Sequence, residues 1–394
     1  MSEGWEYKKL GEVCDIINGL WTGKKEPFIN IAVIRNTNFS KDCQLKLDNV
    51  AYIDVEAKQF AYRKLLYGDI IIEKSGGSEK QPVGRPVLFN IPEGDYSFSN
   101  FTSTLRIKKE VGVEPTYLYR YLYAFYCQGG TNKFQSKTTG LHNLNMKGYL
   151  RIDVPIPPKS TQLAIVAELD QINDLIRLKK EQLKEYDNLA QSIFYDMFGD
   201  PVENEKGWEV KKLGDVCEIG TGSTPNRKNK RYYVGNIPWV KSTEVCNGFI
   251  KETQEMISDE ALAQTNCTIY PKDSVLIAMY GQGKTRGQVA ILKIDACTNQ
   301  AVAAMIPSES ISTNFLFYHL RLLYENIRGM ARGGNQANLN LTLVKSIKII
   351  LPPLPLQQEF SSRVEQIEQL KTEVRKTITD LETLLAARMQ YWFE

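Results

Sequence analysis

The chain has 394 residues, 42% hydrophobic and 24% charged, with a net charge of +3. That length predicts two to three domains rather than one core. No apolar run reaches the length of a membrane span, and the N-terminus lacks a signal peptide's apolar core. With only two histidines, His142 and His319, histidine triads and histidine metal cages are disfavoured.

The first block, residues 1–158, opens on Gly4-Trp5-Glu6-Tyr7-Lys8-Lys9-Leu10-Gly11-Glu12-Val13-Cys14. Branched and aromatic runs predict strands over 69–73, 83–90, 102–108 and 150–155, and one helix over 115–127. Residues 159–198 predict a long helix. Ile165, Leu169, Ile172, Ile176, Leu183, Ala190, Ile193 and Met197 fall on a heptad seam, which Lys179 and Tyr186 complete. Ile156-Pro157-Pro158 stops the block and starts the helix, because proline cannot continue a strand ladder. Residues 199–206 form a short linker.

The second block, residues 207–353, opens on Gly207-Trp208-Glu209-Val210-Lys211-Lys212-Leu213-Gly214-Asp215-Val216-Cys217, identical to the first opening at nine of eleven positions. Strands are predicted over 274–279, 288–294, 301–306 and 344–351, and a helix over 313–328. Leu351-Pro352-Pro353 then starts a second long helix, within residues 354–394. Its seam is Phe360, Val364, Ile367, Lys371, Val374, Ile378, Leu381, Leu385, Arg388 and Trp392, each 195 beyond a seam position of the first helix.

The chain therefore reads as a tandem of two α+β units. Each is a block with a twisted, mostly antiparallel sheet, followed by a long helix. Paired antiparallel, the helices would form a coiled-coil spacer between two similar domains related by a pseudo-twofold axis. Residues 160–198 and 357–394 carry −3 and −2, which leaves +8 on the rest of the chain, so the blocks are the basic parts, as a nucleic-acid surface requires. A DNA-binding dimer has this symmetry, with half-site separation fixed by the protein. Here one chain supplies both halves, and its unequal loops imply unequal half-sites. The seven scattered cysteines show no metal-knuckle or redox-pair spacing and predict reduced thiols in a cytoplasm.

Residues 278–285 fit a relaxed phosphate-loop pattern. A strand is predicted next, where a phosphate loop runs into a helix. A glycine-rich hairpin offering Gln282, Lys284 and Arg286 to DNA fits better, beside the plainer reading of a solvated hairpin. Lys74, Ser75, Lys80 and Arg85 hold the matching place in the first block. Lys133 and Lys137 match Arg332 and Gln336. Tyr280 and Trp21 suit either stacking on bases or the core. Asn143-Leu144-Asn145 and Asn338-Leu339-Asn340 predict caps on each block's last strand. Pro157-Pro158 and Pro352-Pro353 lack the acid or amide and the aromatic of a methyltransferase motif, and no nuclease cluster is evident. Neither a catalytic residue nor a metal ligand is expected. A stand-alone nuclease or ATPase using Lys284, and a non-catalytic coiled-coil adaptor, are the competing readings.

Several stretches together resemble the specificity subunit of type I restriction–modification systems, over essentially the whole chain. They are the paired Gly-Trp-Glu…Lys-Lys-Leu-Gly openings, residues 68–77 (Gly-Asp-Ile-Ile-Ile-Glu-Lys-Ser-Gly-Gly), and residues 220–225 (Gly-Thr-Gly-Ser-Thr-Pro) with Ile237-Pro238-Trp239. Residues 279–283 (Met-Tyr-Gly-Gln-Gly), Thr298-Asn299-Gln300 and the two Pro-Pro-led helices complete the set. The resemblance implies two target recognition domains, each reading half of an asymmetric bipartite site in double-stranded DNA. It implies helices that set the spacing and dock two modification (methyltransferase) subunits, with S-adenosylmethionine bound in those partners and no cofactor in this chain. A restriction (nuclease and translocase) subunit is a further partner that it allows. Lys24, Lys25, Thr221, Ser223, Thr224 and Lys241 complete the candidate DNA contacts. In place of the Thr-Gly-Ser-Thr-Pro element the first block has Asn18-Gly19-Leu20-Trp21-Thr22-Gly23.

Overall fold

The computed structural model describes residues 4–20, 23–79, 81–138, 141–281, 283–331 and 338–394, with 137 and 138 described by backbone alone. It contains two compact units, one of residues 1–180 with 377–394, the other of residues 181–376. Each unit thus takes one block together with part of each long helix.

The duplicated opening forms the strand that closes each block. Glu6–Lys9 pairs antiparallel with Asp153–Ile156, Glu6 opposite Ile156. Val210–Lys212 pairs in the same way with Lys348–Ile350, Val210 opposite Ile350. Leu10 and Leu213, which follow these strands, are fully buried. The repeat therefore joins the chain's entry to its exit where each long helix begins.

The central sheets share one strand order. In the first block it is Cys14–Asn18, Thr102–Ile107, Ile70–Glu73, Pro86–Leu88. In the second it is Ile219–Thr221, Val302–Met305, Val275–Ala278, Val289–Leu292, with Gly248–Ile250 added in parallel. Ile70, Ile71 and Ile72, like Val289 to Leu292, are buried on both faces, so these strands are continuously apolar rather than alternating. A second sheet accompanies each. It is Ala51–Glu56, Phe28–Ile34 and Tyr96–Phe98 in one block, and Glu255–Ile257, Ile237–Val240, Ala296–Thr298 and Ile269–Tyr270 in the other.

The predicted last strands begin later than expected. They start at Asp153 and Lys348; a short helix, Met146–Tyr149, precedes the first, and another, Leu341–Lys345, takes the first residues of the second. Asn145 and Asn340 cap these helices, not strands, accepting from the N–H groups of Gly148 (3.1 Å) and Leu343 (2.8 Å). The helix predicted over 313–328 divides at Leu323 into Thr313–Leu322 and Tyr324–Gly329.

The long helices, Lys159–Phe198 and Leu354–Phe393, each have 40 residues. In the first unit Ile165, Leu169, Ile172 and Ile176 are buried in one cluster with Leu385 and Met389. Glu168 accepts from the Arg388 guanidinium and from Trp392 Nε1 (3.0 Å), and Lys180 meets Glu382 at 2.8 Å. In the second unit Ala190, Phe194 and Phe198 cluster with Phe360, Val364 and Ile367, and Lys371 reaches Asp187 at 3.0 Å. In both units partner numbers fall as first-helix numbers rise, so the pairing is antiparallel. Toward the C-terminal end of each helix the seam moves by one residue. Phe194 and Phe198 are fully buried where Ile193 and Met197 were expected, and Met389 is buried beside the predicted Arg388. A straight helix drifts about 20° per heptad against a strict seven-residue repeat, which is enough to hand the contact to the next residue over five heptads.

Buried glutamines fix the start of both helices. Gln162 Oε1 accepts from Glu114 N–H (2.9 Å), while Nε2 donates to the carbonyls of Gly112 and Pro157 (3.1 and 2.9 Å). Gln357 makes the same clamp with Ser312 N–H (2.9 Å) and the Pro352 carbonyl (2.8 Å).

His319 gives the second unit an acid-sensitive core. Its Nε2 accepts from Ile350 N–H at 3.0 Å, and its ring meets Phe194 and Phe315 edge-on. Burial pushes its pKa down from 6.5 to about 3. The folded state keeps this ring neutral, so the stability it holds is complete above pH 6.5 and is lost as pH falls from there toward 3. The loss should reach about 2 kcal/mol at pH 5, at about 1.4 kcal/mol per pH unit. Unfolding from pH 7.5 to 5 should show this decline in the wild type and not in His319→Gln. An equal decline in both would place the sensitivity elsewhere.

Candidate nucleic-acid interface

In the second block three segments meet at one end of the central sheet. Residues 220–225 leave the Ile219–Thr221 strand, whose Thr221 lies opposite Ala303. Residues 279–287 leave the Val275–Ala278 strand, whose Ala278 lies opposite Val302. Residues 226–231 follow directly on the first of these. The contacts here are local. Thr221 Oγ1 donates to the Val302 carbonyl at 2.8 Å, and Thr224 Oγ1 bonds the Gln300 amide. Trp239 Nε1 donates to the Ser223 carbonyl at 3.0 Å.

Gly222 lets the loop lie on its neighbour. An added Cβ would stand 1.8 Å from the Thr298 carbonyl oxygen, and one on Gly19 would stand 1.8 Å from that of Ser99. The two blocks therefore share this close approach even though their loop sequences differ. Gly222→Ala should cost the second block about 1–3 kcal/mol, as overpacking does. Gly248→Ala, whose Cβ would meet nothing within 4 Å, is the control. Similar denaturation midpoints for the two variants would contradict the close-packing argument.

The segment 279–287 is no phosphate loop, because the strand Val289–Leu292 follows it. Gly281, Gly283 and Gly287 all have positive φ, which makes the sharp turns. Tyr280 and Lys284 are exposed and Arg286 is half-buried. The loop is held from its inner side: Tyr324 Oη donates to the Lys284 carbonyl (2.7 Å) and Arg328 Nη1 to that of Arg286 (2.9 Å). Lys241 is bound to Glu255 at 2.8 Å. Arg227 bonds the same carboxylate, and the two cations hold its pKa below the usual range.

The first block brings its loops together differently. Ser75–Gly77, Leu141–Leu144 and Gln135–Thr138 form one three-stranded sheet. Leu141–Leu144 is the middle strand, with Leu144 N–H donating to the Lys74 carbonyl on one side and Leu144 opposite Gln135 on the other; Lys133, just before that outer strand, has its ammonium 5.2 Å from the Phe134 ring centre. Lys74 is half-buried, with Nζ 3.5 Å from Asn18 Oδ1, and burial lowers its pKa. The Ser75 hydroxyl bonds the Asn143 amide. Lys24 and Lys25 expose their side chains, while their N–H groups donate to Glu56 Oε1 at 2.5 and 2.6 Å. Those bonds hold the Glu56 carboxyl below its usual pKa.

Arg85 is withdrawn from the candidate contacts. It is 5% exposed, and its guanidinium forks onto Glu73 (2.7 and 3.0 Å) and the Phe39 and Ser40 carbonyls (3.1 and 3.3 Å). Trp21, Lys80, Gln282, Arg332 and Gln336 lie outside the described residues, as does the side chain of Lys137. The basic run Arg227-Lys228-Asn229-Lys230-Arg231 is an addition that its four cations in five positions make legible. The anchoring Tyr324 and Arg328 carry no comparable signal. No described helix is long and apolar enough to cross a membrane.

A family model described as the type I restriction modification DNA specificity domain matches residues 2–186 and again 205–383. The chain is 27% identical over 235 residues to the type I restriction enzyme MjaIX specificity subunit of Methanocaldococcus jannaschii, covering 55% of this chain and 54% of that one. It is 28% identical to the HindI specificity subunit of Haemophilus influenzae, covering 47% and 41%. The chain thus spans about half the length of these two relatives. With the putative MjaX specificity subunit of M. jannaschii, identity is 22% over 96% of this chain and 90% of the other. Among solved structures, a chain from work on complex assembly and conformational transition of the type I R-M system superposes with a TM-score of 0.65, at 19% identity over 100% and 98% of the chains. The type I restriction–modification S subunit from M. genitalium superposes with a TM-score of 0.54, at 15% identity over 99% and 96%. With two copies of the domain spanning most of its length, the chain belongs to the type I restriction–modification DNA specificity family.

Proposed function

We propose that this chain is the non-catalytic DNA-specificity subunit of a type I restriction–modification complex. Each block reads one half of an asymmetric bipartite site, and the paired helices set the spacing and dock two modification subunits. One observation carries the reading: two blocks share a strand order and a closing ribbon yet carry different loops at the same sheet end. A common scaffold with unequal loops suits two readers of unequal sequences. S-adenosylmethionine belongs to the modification subunits, a restriction subunit is a further partner, and the complex works in the cytoplasm. An ATPase built on Lys284 is disfavoured, because a strand stands where that chemistry needs a helix N-terminus.

Co-expression with its modification subunits should yield one copy of this chain per two of the partner by native mass spectrometry. Methyl transfer to DNA should require both proteins. Methylation by the chain alone, or site selection by the modification subunits without it, would contradict the proposal.

A further inference from the structure

We propose that residues 226–231 of the second block form a preorganised phosphate clamp. It grips the DNA backbone beside the bases that residues 220–225 and 279–287 read. This rests on the DNA-reading role proposed above and names the groups that supply affinity and register there.

The turn is built rather than loose. Asn226 Oδ1 accepts from Lys228 N–H (3.0 Å) and Asn229 Oδ1 from Arg231 N–H (3.2 Å), which fixes two successive turns. Arg227 is the anchor. Its guanidinium lies 4.3 Å from the Tyr233 ring centre and 5.0 Å from that of Trp239, and it bonds Glu255. Both rings are tied to the neighbouring loop, Tyr233 through the Pro225 carbonyl (2.6 Å) and Trp239 through that of Ser223 (3.0 Å). A shift of the turn is therefore a shift of the reading loop.

Arg227, itself exposed, is committed to Glu255 and the two rings, while Lys228, Lys230 and Arg231 stand exposed on the same fixed backbone. No acidic residue stands within residues 226–231. Three cations at fixed spacing beside a loop of hydroxyls, those of Thr221, Ser223 and Thr224, match a phosphate backbone flanking readable base edges. Such contacts position a protein on the duplex and carry no sequence information. The first block has no such run: its matching loop offers Lys24 and Lys25, followed by Glu26.

The test uses the complete complex with modification subunits. Lys228, Lys230 and Arg231 are replaced together by Ala, and binding to the native site is measured from low to physiological salt. The slope of log affinity against log salt should fall by about 2.7, at about 0.9 per lost phosphate contact. Affinity near 50 mM salt should drop at least about tenfold, while the methylated motif stays the same. As a control, Lys212, Lys345 and Lys348, exposed near the closing ribbon of the same block, are replaced by Ala. An unchanged slope in the first triple variant, an equal fall in the control, or an altered motif would overturn the clamp. If the wild-type complex selects no site, the DNA-reading role itself fails, a result distinct from these.

Discussion

Glu73→Ala is expected to lower the stability of the first unit by about 3–5 kcal/mol, the cost of leaving one partner of a buried ion pair alone. Glu73 is 1% exposed and takes both Nε and Nη2 of Arg85. The remaining guanidinium donors face carbonyls of Asn36, Phe39 and Ser40, which cannot neutralise the charge. Without the carboxylate a cation would stay buried among neutral acceptors, and water could reach it only by opening the sheet. Replacing both partners, as Glu73→Leu with Arg85→Met, removes the stranded charge and should recover most of the loss. Denaturant unfolding of the four proteins of this cycle measures the coupling. Additive losses would show that the pair is not the source of the effect. The second unit has Ala278 in the place of Glu73: Gly287 N–H donates to the Ala278 carbonyl as Gly84 N–H does to that of Glu73.

Exchanging residues 207–351 for the matching block of a relative should change one half of the methylated site and leave the other half intact. The exchange is feasible because both strands of the closing ribbon, Val210–Lys212 and Lys348–Ile350, move together and no strand pair is cut. What the new block must reproduce is its seat on the helices, where Phe315 and His319 pack against Phe194, and Phe315 also against Phe198. A donor with small residues at those positions would leave a cavity and fold poorly for reasons unrelated to reading. With the seat preserved, a motif altered in both halves would contradict two independent readers.

The long helices were legible because a heptad seam repeats a simple physical requirement, and the 195-residue offset announced it twice. The central strands were legible for a similar reason: Ile70-Ile71-Ile72 and Val289-Ala290-Ile291-Leu292 are continuous apolar runs bounded by breaks. The second sheets were not legible. Phe28–Ile34 finds its neighbours at 51–56 and 96–98, so its pairing depends on long-range closure that no local pattern encodes. Among site residues, exposure separated Lys284 from Arg85. Both are cations near glycines, and only the distant Phe39 and Ser40 carbonyls, with Glu73, reveal that Arg85 points inward. Gln162 and Gln357 show the same limit. Each is one polar residue in a helix's first turn until the carbonyls and N–H groups around it are in place.

The central claim is that one chain reads two unlike half-sites through two blocks. Mapping modified bases across a genome, or across a randomised plasmid library, in cells carrying this chain with its modification subunits tests it most directly. The account predicts one motif made of two different short sequences separated by a fixed run of unread bases. A single uninterrupted motif, or two identical halves, would contradict it.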